Sequence, residues 1–92
     1  MPGYQIMSAA AASLQTDTET LTDFSRKGWI QTATRTANVY LSSDQRYRAK
    51  YILYLRHTRH LSDDQVQLVL SVQPPPYAAS QVDEILKQHA AG

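Results

Sequence analysis

Helix-start signals recur along this chain and constrain its fold more than any other feature. A serine or threonine is followed three residues later by Glu, Gln or Asp at four places, which are Thr16-x-x-Glu19, Ser42-x-x-Gln45, Ser62-x-x-Gln65 and Ser80-x-x-Asp83. In such a pair the hydroxyl accepts from a backbone N–H of the first turn, and the second side chain reaches back to the cap. Because each pair precedes an apolar pattern at helical spacing, the sequence predicts a mainly α domain.

The elements are predicted in the order helix, helix, β-hairpin, helix, helix, linker, helix. The predicted helices cover about 4–14, 17–27, 43–57, 63–72 and 81–89, with Gly28 closing the second. Their predicted inward residues are Ile6, Ala10, Leu14, Leu21, Phe24, Tyr47, Tyr51, Ile52, Leu55, Val66, Val69, Leu70, Val82, Ile85 and Leu86. The segments 29–32 and 38–41 are rich in β-branched and aromatic residues, which predicts two strands joined through residues 33–37.

Three consecutive prolines, Pro74 to Pro76, forbid helix and predict an extended linker. We therefore expect a domain over residues 1–72, a linker over 73–77 and a short C-terminal helix within 78–92. The 92 residues include no cysteine, so disulfides and thiolate zinc sites are excluded. No apolar stretch is long enough to cross a membrane, and the alanine run at 9–12 does not read as a signal peptide, so we expect a cytoplasmic protein.

Basic residues are concentrated in the middle of the chain. Between residues 26 and 59 the sequence holds eight lysines and arginines against one acid, Asp44, and the other seven acids lie on the two flanks. Such a distribution suggests one positive face. On charge alone, a solvated surface of mixed charge explains it equally well.

Five segments resemble the DNA-binding domain of the MerR family of transcription regulators, over about residues 4–70. They are Tyr4-Gln-Ile6, Thr20-Leu-Thr-Asp-Phe-Ser-Arg-Lys-Gly-Trp-Ile30, Arg35-Thr-Ala-Asn-Val-Tyr40, Tyr51-Ile-Leu-Tyr-Leu-Arg56 and Leu61-Ser-Asp-Asp-Gln-Val66. The resemblance implies a winged helix-turn-helix in which the small β-hairpin is the wing. It also implies that double-stranded DNA is the partner.

The candidate DNA contacts fall in three places. On the outer stripe and end of the second helix they are Thr18, Thr22, Ser25, Arg26 and Lys27, since short hydroxyls and cations suit base edges and phosphates. On the wing they are Arg35, Asn38 and Tyr40. On the third helix and the turn after it, which the resemblance implies is a second wing, they are Arg46, Arg56, His57 and Arg59.

Catalysis, metals and cofactors find little support in the sequence. It contains no glycine-rich phosphate loop and no nucleophile motif, and the acidic pair Asp63-Asp64 is explained by its place at a helix start. His57 and His60 lack neighbouring ligands that would complete a metal site. The sequence therefore predicts no enzyme activity, no metal and no cofactor.

These observations favour a sequence-specific transcriptional regulator without an effector domain, or a related excisionase-like architectural factor. The alternative is a protein–protein interaction module on the same scaffold, favoured by the acids Glu19 and Asp23 and by Thr22, which stands where the MerR family has an arginine. Val82, Ile85 and Leu86 form a short apolar seam on the last helix. A weak homodimer, cooperative assembly along DNA and docking of this helix on its own domain all stay open.

Overall fold

The computed structural model describes residues 3–75 and 77–90. The chain is mostly helical, with a small three-stranded antiparallel sheet. In chain order the elements are β1 (Tyr4–Ile6), α1 (Met7–Ser13), α2 (Thr18–Arg26), β2 (Ala33–Arg35), β3 (Asn38–Ser42), α3 (Ser43–Leu53), a π-helical turn (Tyr54–Thr58), α4 (Asp63–Val72), a 3-10 turn (Ala79–Gln81) and α5 (Val82–Ala90).

Two compact units make up the chain, Met1–Tyr51 and Ile52–Gly92, which we call the first unit and the second unit. The division lies within α3. The first unit contains the sheet, α1 and α2, and the second contains α4 and α5.

The first unit begins with a strand where the sequence predicts a helix. Tyr4–Ile6 pairs with β3, and α1 starts only at Met7. The predicted inward position of Ile6 is wrong, because its side chain is 38% exposed, whereas Ala10 is fully buried as predicted. Residues 7–12 are good helix formers, but pairing with a distant strand overrides helix propensity at residues 4–6.

Helix α2 matches its prediction except at its cap. The cap is Asp17, one residue after the predicted Thr16, and its carboxylate accepts from the Thr20 backbone N–H at 2.7 Å. Leu21 and Phe24 are fully buried, as predicted. Gly28 ends the helix with a φ of 76°, the left-handed conformation expected of a closing glycine.

The hairpin is shifted and tighter than the sequence predicts. Its first strand is Ala33–Arg35 rather than residues 29–32, and its turn consists of Thr36 and Ala37 alone. Both turn residues have positive φ, 51° and 63°, as in the turns that fit the twist of a two-residue hairpin. Neither is the Asn or Gly that usually marks such a turn, which is why the sequence does not reveal it. Trp29 and Ile30 are buried core residues instead.

The sheet order is β1-β3-β2, so β3 is central. Leu41 of β3 is fully buried and faces the core of the first unit. At the start of α3, the Ser42 hydroxyl accepts from the Gln45 backbone N–H at 3.2 Å, as predicted. The Gln45 side chain instead accepts from the Gln31 N–H at 2.8 Å. Tyr47 is 49% exposed, so its predicted inward position is wrong.

The second unit follows the sequence prediction most closely at α4. This helix covers the predicted residues Asp63–Val72, and Ser62 and Gln65 cap it reciprocally. Val66 and Val69 are fully buried, and Leu70 is 8% exposed. At its end the buried Gln73 donates to the Ala78 carbonyl at 2.9 Å, which holds the chain on both sides of the prolines. Pro76 lies outside the described residues.

Helix α5 packs against α4 within the second unit. Val82 is fully buried, Ile85 is 6% exposed and Leu86 is half-buried. Two of the three residues predicted to form a dimer seam are therefore covered by their own chain, which corresponds to the docked arrangement among the three that the sequence leaves open. Ser80, the fourth predicted cap, lies inside the 3-10 turn that leads directly into α5.

Candidate nucleic-acid interface

Three of the five candidate residues at α2 are at least partly exposed, and their side chains make no hydrogen bond or ion pair among the described residues. Thr18 opens the helix and Arg26 ends it, and both are exposed, while Ser25 is half-buried. Among the described residues, the Arg26 guanidinium has no ion pair or hydrogen-bond partner. The end of α2 therefore carries a free cation beside a short hydroxyl side chain.

The other two candidates on α2 are engaged within the first unit. The Thr22 hydroxyl donates to the Thr18 carbonyl at 2.8 Å and lies 3.5 Å from the Met7 sulfur. The Lys27 ammonium pairs with Asp23 at 3.0 Å and stands 5.7 Å from the centroid of the Trp29 ring. Thr22 and Lys27 therefore serve the local structure of the first unit, where an ion pair and a cation–π contact already use the lysine charge.

The hairpin carries a cation at its open end. Arg35 is the last residue of β2 and lies opposite Asn38, the first residue of β3, with the two-residue turn between them. Both are exposed, and Arg35 has no ion pair among the described residues. Tyr40 lies two residues further along β3, half-buried, opposite both Ile6 and Ala33. The turn thus holds a guanidinium and an amide side by side at an exposed tip.

Two arginines of α3 tie the helix to the rest of the first unit. Arg46 donates to the Leu41 carbonyl at 3.0 Å and to the Gly3 carbonyl at 3.2 Å, and Arg48 donates to the Trp29 carbonyl. Arg46 therefore has a structural role in the first unit, and its predicted contact with DNA stays a prediction. Lys50, in contrast, is exposed and has no ion pair among the described residues, and the prediction omitted it.

In the second unit, both arginines face acids. Arg56, in the π-helical turn, lies 3.7 Å from a carboxylate oxygen of Asp63. Arg59 pairs with Asp83, and hydrogen bonding to Tyr54 and then to Asp83 raises the pKa of its guanidinium above the ordinary value. Arg59 carries its positive charge whether it is paired or not. The pairing with Asp83 therefore leaves the charge in place but makes the guanidinium less available to a phosphate. His57 is exposed beside them.

The two units differ in formal charge. The first unit holds six basic and four acidic residues, a net charge of +2, and the second holds three basic and four acidic residues, a net charge of −1. Between Phe24 and Ser43 the first unit has no acid at all, and this stretch contains Arg26, Lys27 and Arg35. Lys27 pairs with Asp23 just outside this stretch, whereas Arg26 and Arg35 have no acidic partner among the described residues and can act on an anion without such neutralisation.

None of the helices in the described part of the chain has the length and apolar character needed to span a bilayer. Comparison of the chain with protein-family models, with curated proteins and with solved structures finds no match.

Proposed function

We propose that this chain is a cytoplasmic, sequence-specific DNA-binding regulator of transcription, built on a MerR-like winged helix-turn-helix whose wing is the β2–β3 hairpin. The observation that carries the proposal is the exposed hairpin end, where Arg35 and Asn38 flank a two-residue turn in a stretch without acids. A basic hairpin tip suits contact with the sugar–phosphate backbone, which positions a protein on DNA. The order of two helices, hairpin and two helices also supports this fold.

Each part of the proposed interface has a distinct role. Arg26, Arg35 and Lys50 are the free cations of the first unit and would neutralise phosphates. Thr18 and Ser25 on the outer side of α2 would meet base edges, because hydroxyls both donate and accept hydrogen bonds. Sequence preference then comes from α2, and most of the binding free energy comes from the cations.

Assembly on DNA would not use the predicted seam on α5, because Val82 and Ile85 are buried within the second unit. We therefore propose that the protein binds its site as a single chain or through cooperative contacts between neighbouring chains. A sharp rise of occupancy with protein concentration on a duplex of several sites distinguishes the cooperative mode.

A protein-interaction module is the second candidate function, and the pairing of Arg56 and Arg59 with acids favours it for the second unit. That unit carries net negative charge, which opposes approach to a phosphate backbone. Under this alternative the protein would bind a partner protein and leave duplex DNA unbound at every salt concentration.

The test is selection from a random duplex pool, followed by equilibrium binding of the selected duplex across salt. With three free cations, the plot of log affinity against log salt should fall with a slope of about −3 per bound chain between about 50 and 200 mM salt. A scrambled duplex of equal length should bind more weakly with a similar slope. Absence of binding at the lowest salt, or a slope near zero, would overturn the proposal and favour the partner-protein function.

A further inference from the structure

Strand β1 has its polar and apolar side chains on the opposite sides from those expected of a sheet over a core. Tyr4 is 43% exposed and Ile6 is 38% exposed, whereas the polar Gln5 between them is half-buried and its side-chain oxygen lies 3.5 Å from the Ser13 hydroxyl. A half-buried antiparallel sheet ordinarily turns apolar residues inward and polar residues outward. Large apolar side chains on the outer face therefore call for a functional explanation.

The strand register extends this outward face across all three strands. Directly opposed residues of an antiparallel pair project from the same side of the sheet. Starting from Tyr4 and Ile6, the opposed pairs define what we call the open sheet face, made of Tyr4, Ile6, Ala33, Arg35, Asn38, Tyr40 and Ser42. Leu41, which alternates with these residues on β3, is fully buried on the other side.

Two aromatic rings lie on the open sheet face as diagonal neighbours. Tyr40 is opposite Ile6 and Tyr4 is opposite Ser42, so the two tyrosines stand on adjacent strands two residues apart in register. Such diagonal pairs are separated by about 7–8 Å, which leaves each ring able to meet its own planar group. Neither tyrosine hydroxyl has a hydrogen-bond partner among the described residues.

The charge on this face selects an anionic ligand. Arg35 is its sole charged side chain, and Asn38 adds an uncharged hydrogen-bonding group, whereas the Ser42 hydroxyl is engaged at the start of α3. A ligand with flat apolar groups and a negative backbone complements both the rings and the guanidinium. Unpaired nucleotides have this chemistry, since bases stack on tyrosine rings and phosphates bind arginine, whereas a duplex keeps its base faces stacked inside.

We propose that the open sheet face binds single-stranded nucleic acid, with unpaired bases stacked on Tyr4 and Tyr40 and a phosphate held by Arg35. This activity goes beyond the proposed binding of duplex DNA, which relies on α2 and the hairpin tip and makes no use of Tyr4. The two sites share Arg35, and their tyrosine dependence separates them.

The experiment measures fluorescence anisotropy of a labelled oligothymidylate of about 12 nucleotides, a length within the range that small single-strand sites cover. The full chain is compared with Tyr4→Leu, with Tyr4→Leu/Tyr40→Leu, and with the matched control Tyr4→Phe/Tyr40→Phe, which keeps both rings. Each base stacked on a ring contributes substantially to the binding free energy, so the double leucine variant should bind at least about 10-fold more weakly than the unchanged chain. The affinity of the phenylalanine control should stay within about 2-fold of that of the unchanged chain. Tyr4→Leu alone should weaken binding about 5-fold, and its exposed position keeps the fold intact.

Duplex binding, measured in parallel, distinguishes failure of this proposal from failure of the proposed function. Tyr4→Leu should leave duplex affinity unchanged while it weakens binding of the oligothymidylate. The proposal is overturned if the full chain does not bind the oligothymidylate at about 50 mM salt, where electrostatic binding is strong. It is also overturned if Arg35→Ala abolishes single-strand binding while Tyr4→Leu does not change it, or if the leucine and phenylalanine variants bind equally well.

Discussion

The two units of this chain use similar arginine residues in opposite ways. In the first unit Arg26 and Arg35 are exposed and have no acidic partner among the described residues. In the second unit Arg56 and Arg59 each face a carboxylate, from Asp63 and Asp83. All four belong to the same basic stretch of sequence, so the stretch does not behave as one positive surface.

The difference shows that the position of acids decides what a basic residue can do. An arginine paired with a carboxylate must give up that contact before it binds a phosphate, whereas a free arginine exchanges only water and counterions. The predicted DNA contacts, which extend from Thr18 to Arg59 and include residues of both units, therefore become a narrower proposal, in which the first unit supplies the interface.

We expect the greatest loss of DNA binding when the two free arginines of the first unit are removed. Replacement of both free arginines, in Arg26→Ala/Arg35→Ala, should lower duplex affinity roughly 50-fold at about 0.1 M salt and reduce the salt slope by about 2, because each lost phosphate contact releases about one counterion fewer. The measurement is equilibrium binding of the selected duplex, with circular dichroism to verify the fold.

The matched control is Arg56→Ala/Arg59→Ala, which removes the same charge from the second unit. We expect it to change duplex affinity by less than about 2-fold, since both side chains already face acids. Equal losses for the two double variants would show that the distinction between the units is wrong.

A second prediction concerns the backbone of the hairpin that presents Arg35. Thr36 and Ala37 both adopt positive φ, which is costly for residues with a Cβ and most costly for a β-branched one. Thr36→Asn/Ala37→Gly should therefore raise the free energy of unfolding by about 1 kcal/mol, after the greater freedom of glycine in the unfolded chain is counted. Urea denaturation measures this change.

The control for the hairpin is the same glycine placed at an ordinary position, Ala33→Gly in β2, which should lower stability. If the Asn-Gly variant is less stable than the natural chain, the described turn conformation is wrong. A stiffer hairpin should also leave duplex affinity at least as high as before, because the tip residues Arg35 and Asn38 are unchanged.

A smaller effect is expected at the cap of α2, the helix proposed to meet base edges. Hydrogen bonds from the Thr20 side chain and backbone lower the pKa of the Asp17 carboxyl below its ordinary value. The carboxylate therefore stabilises the fold above about pH 4, the ordinary range for an aspartate, and this contribution is lost as the pH falls through the lowered pKa. Asp17→Ala should reduce the Tm by a few degrees at pH 7 and approach the natural chain in acid.

Asp17→Asn separates the contribution of the capping hydrogen bond from that of the carboxylate charge. Asparagine keeps the capping oxygen and cannot titrate, so most of the stability at pH 7 should remain while the dependence on pH around the cap disappears. Thermal melts from pH 2 to 7 measure both variants. An alanine variant that loses equal stability at all pH values would contradict the role of the carboxylate charge.

The smallest expected effect comes from releasing the arginines of the second unit. Asp63→Asn/Asp83→Asn removes both carboxylates and makes the unit less negative, so affinity for a scrambled duplex should rise roughly 2- to 5-fold through long-range electrostatics. Preference for the selected duplex over the scrambled one should fall accordingly. No change in either affinity would show that ion pairing is not what keeps these arginines from DNA.

The sequence predicts the elements whose signals are local. Helix α4 lies at its predicted residues because Ser62 and Gln65 cap it without help from elsewhere, and the buried faces of α2 and α4 follow the 3.6-residue period. The role of Gly28 is also predicted, because the left-handed conformation that ends α2 is a requirement of the local backbone.

Two of the three strands, whose positions depend on long-range pairing, escape prediction, whereas β3 lies close to its predicted residues. Strand β1 exists because β3 lies beside it, and Arg46 is structural because the Leu41 and Gly3 carbonyls reach it. The hairpin register depends on a turn without Asn or Gly, so the sequence places its first strand too early. Whether a cation is free or paired depends on acids such as Asp83, distant in sequence from Arg59, and this is why the predicted site is broader than the proposed one.

Titration of the isotopically labelled chain with the selected duplex, followed residue by residue through backbone amide NMR shifts, shows which of the two units binds DNA. We expect the amides of α2 and of the hairpin turn around Arg35 to shift in a saturable manner, and those of α4 to stay in place. Shifts confined to the second unit, or none at saturating duplex, would contradict the claim that the free cations of the first unit bind DNA.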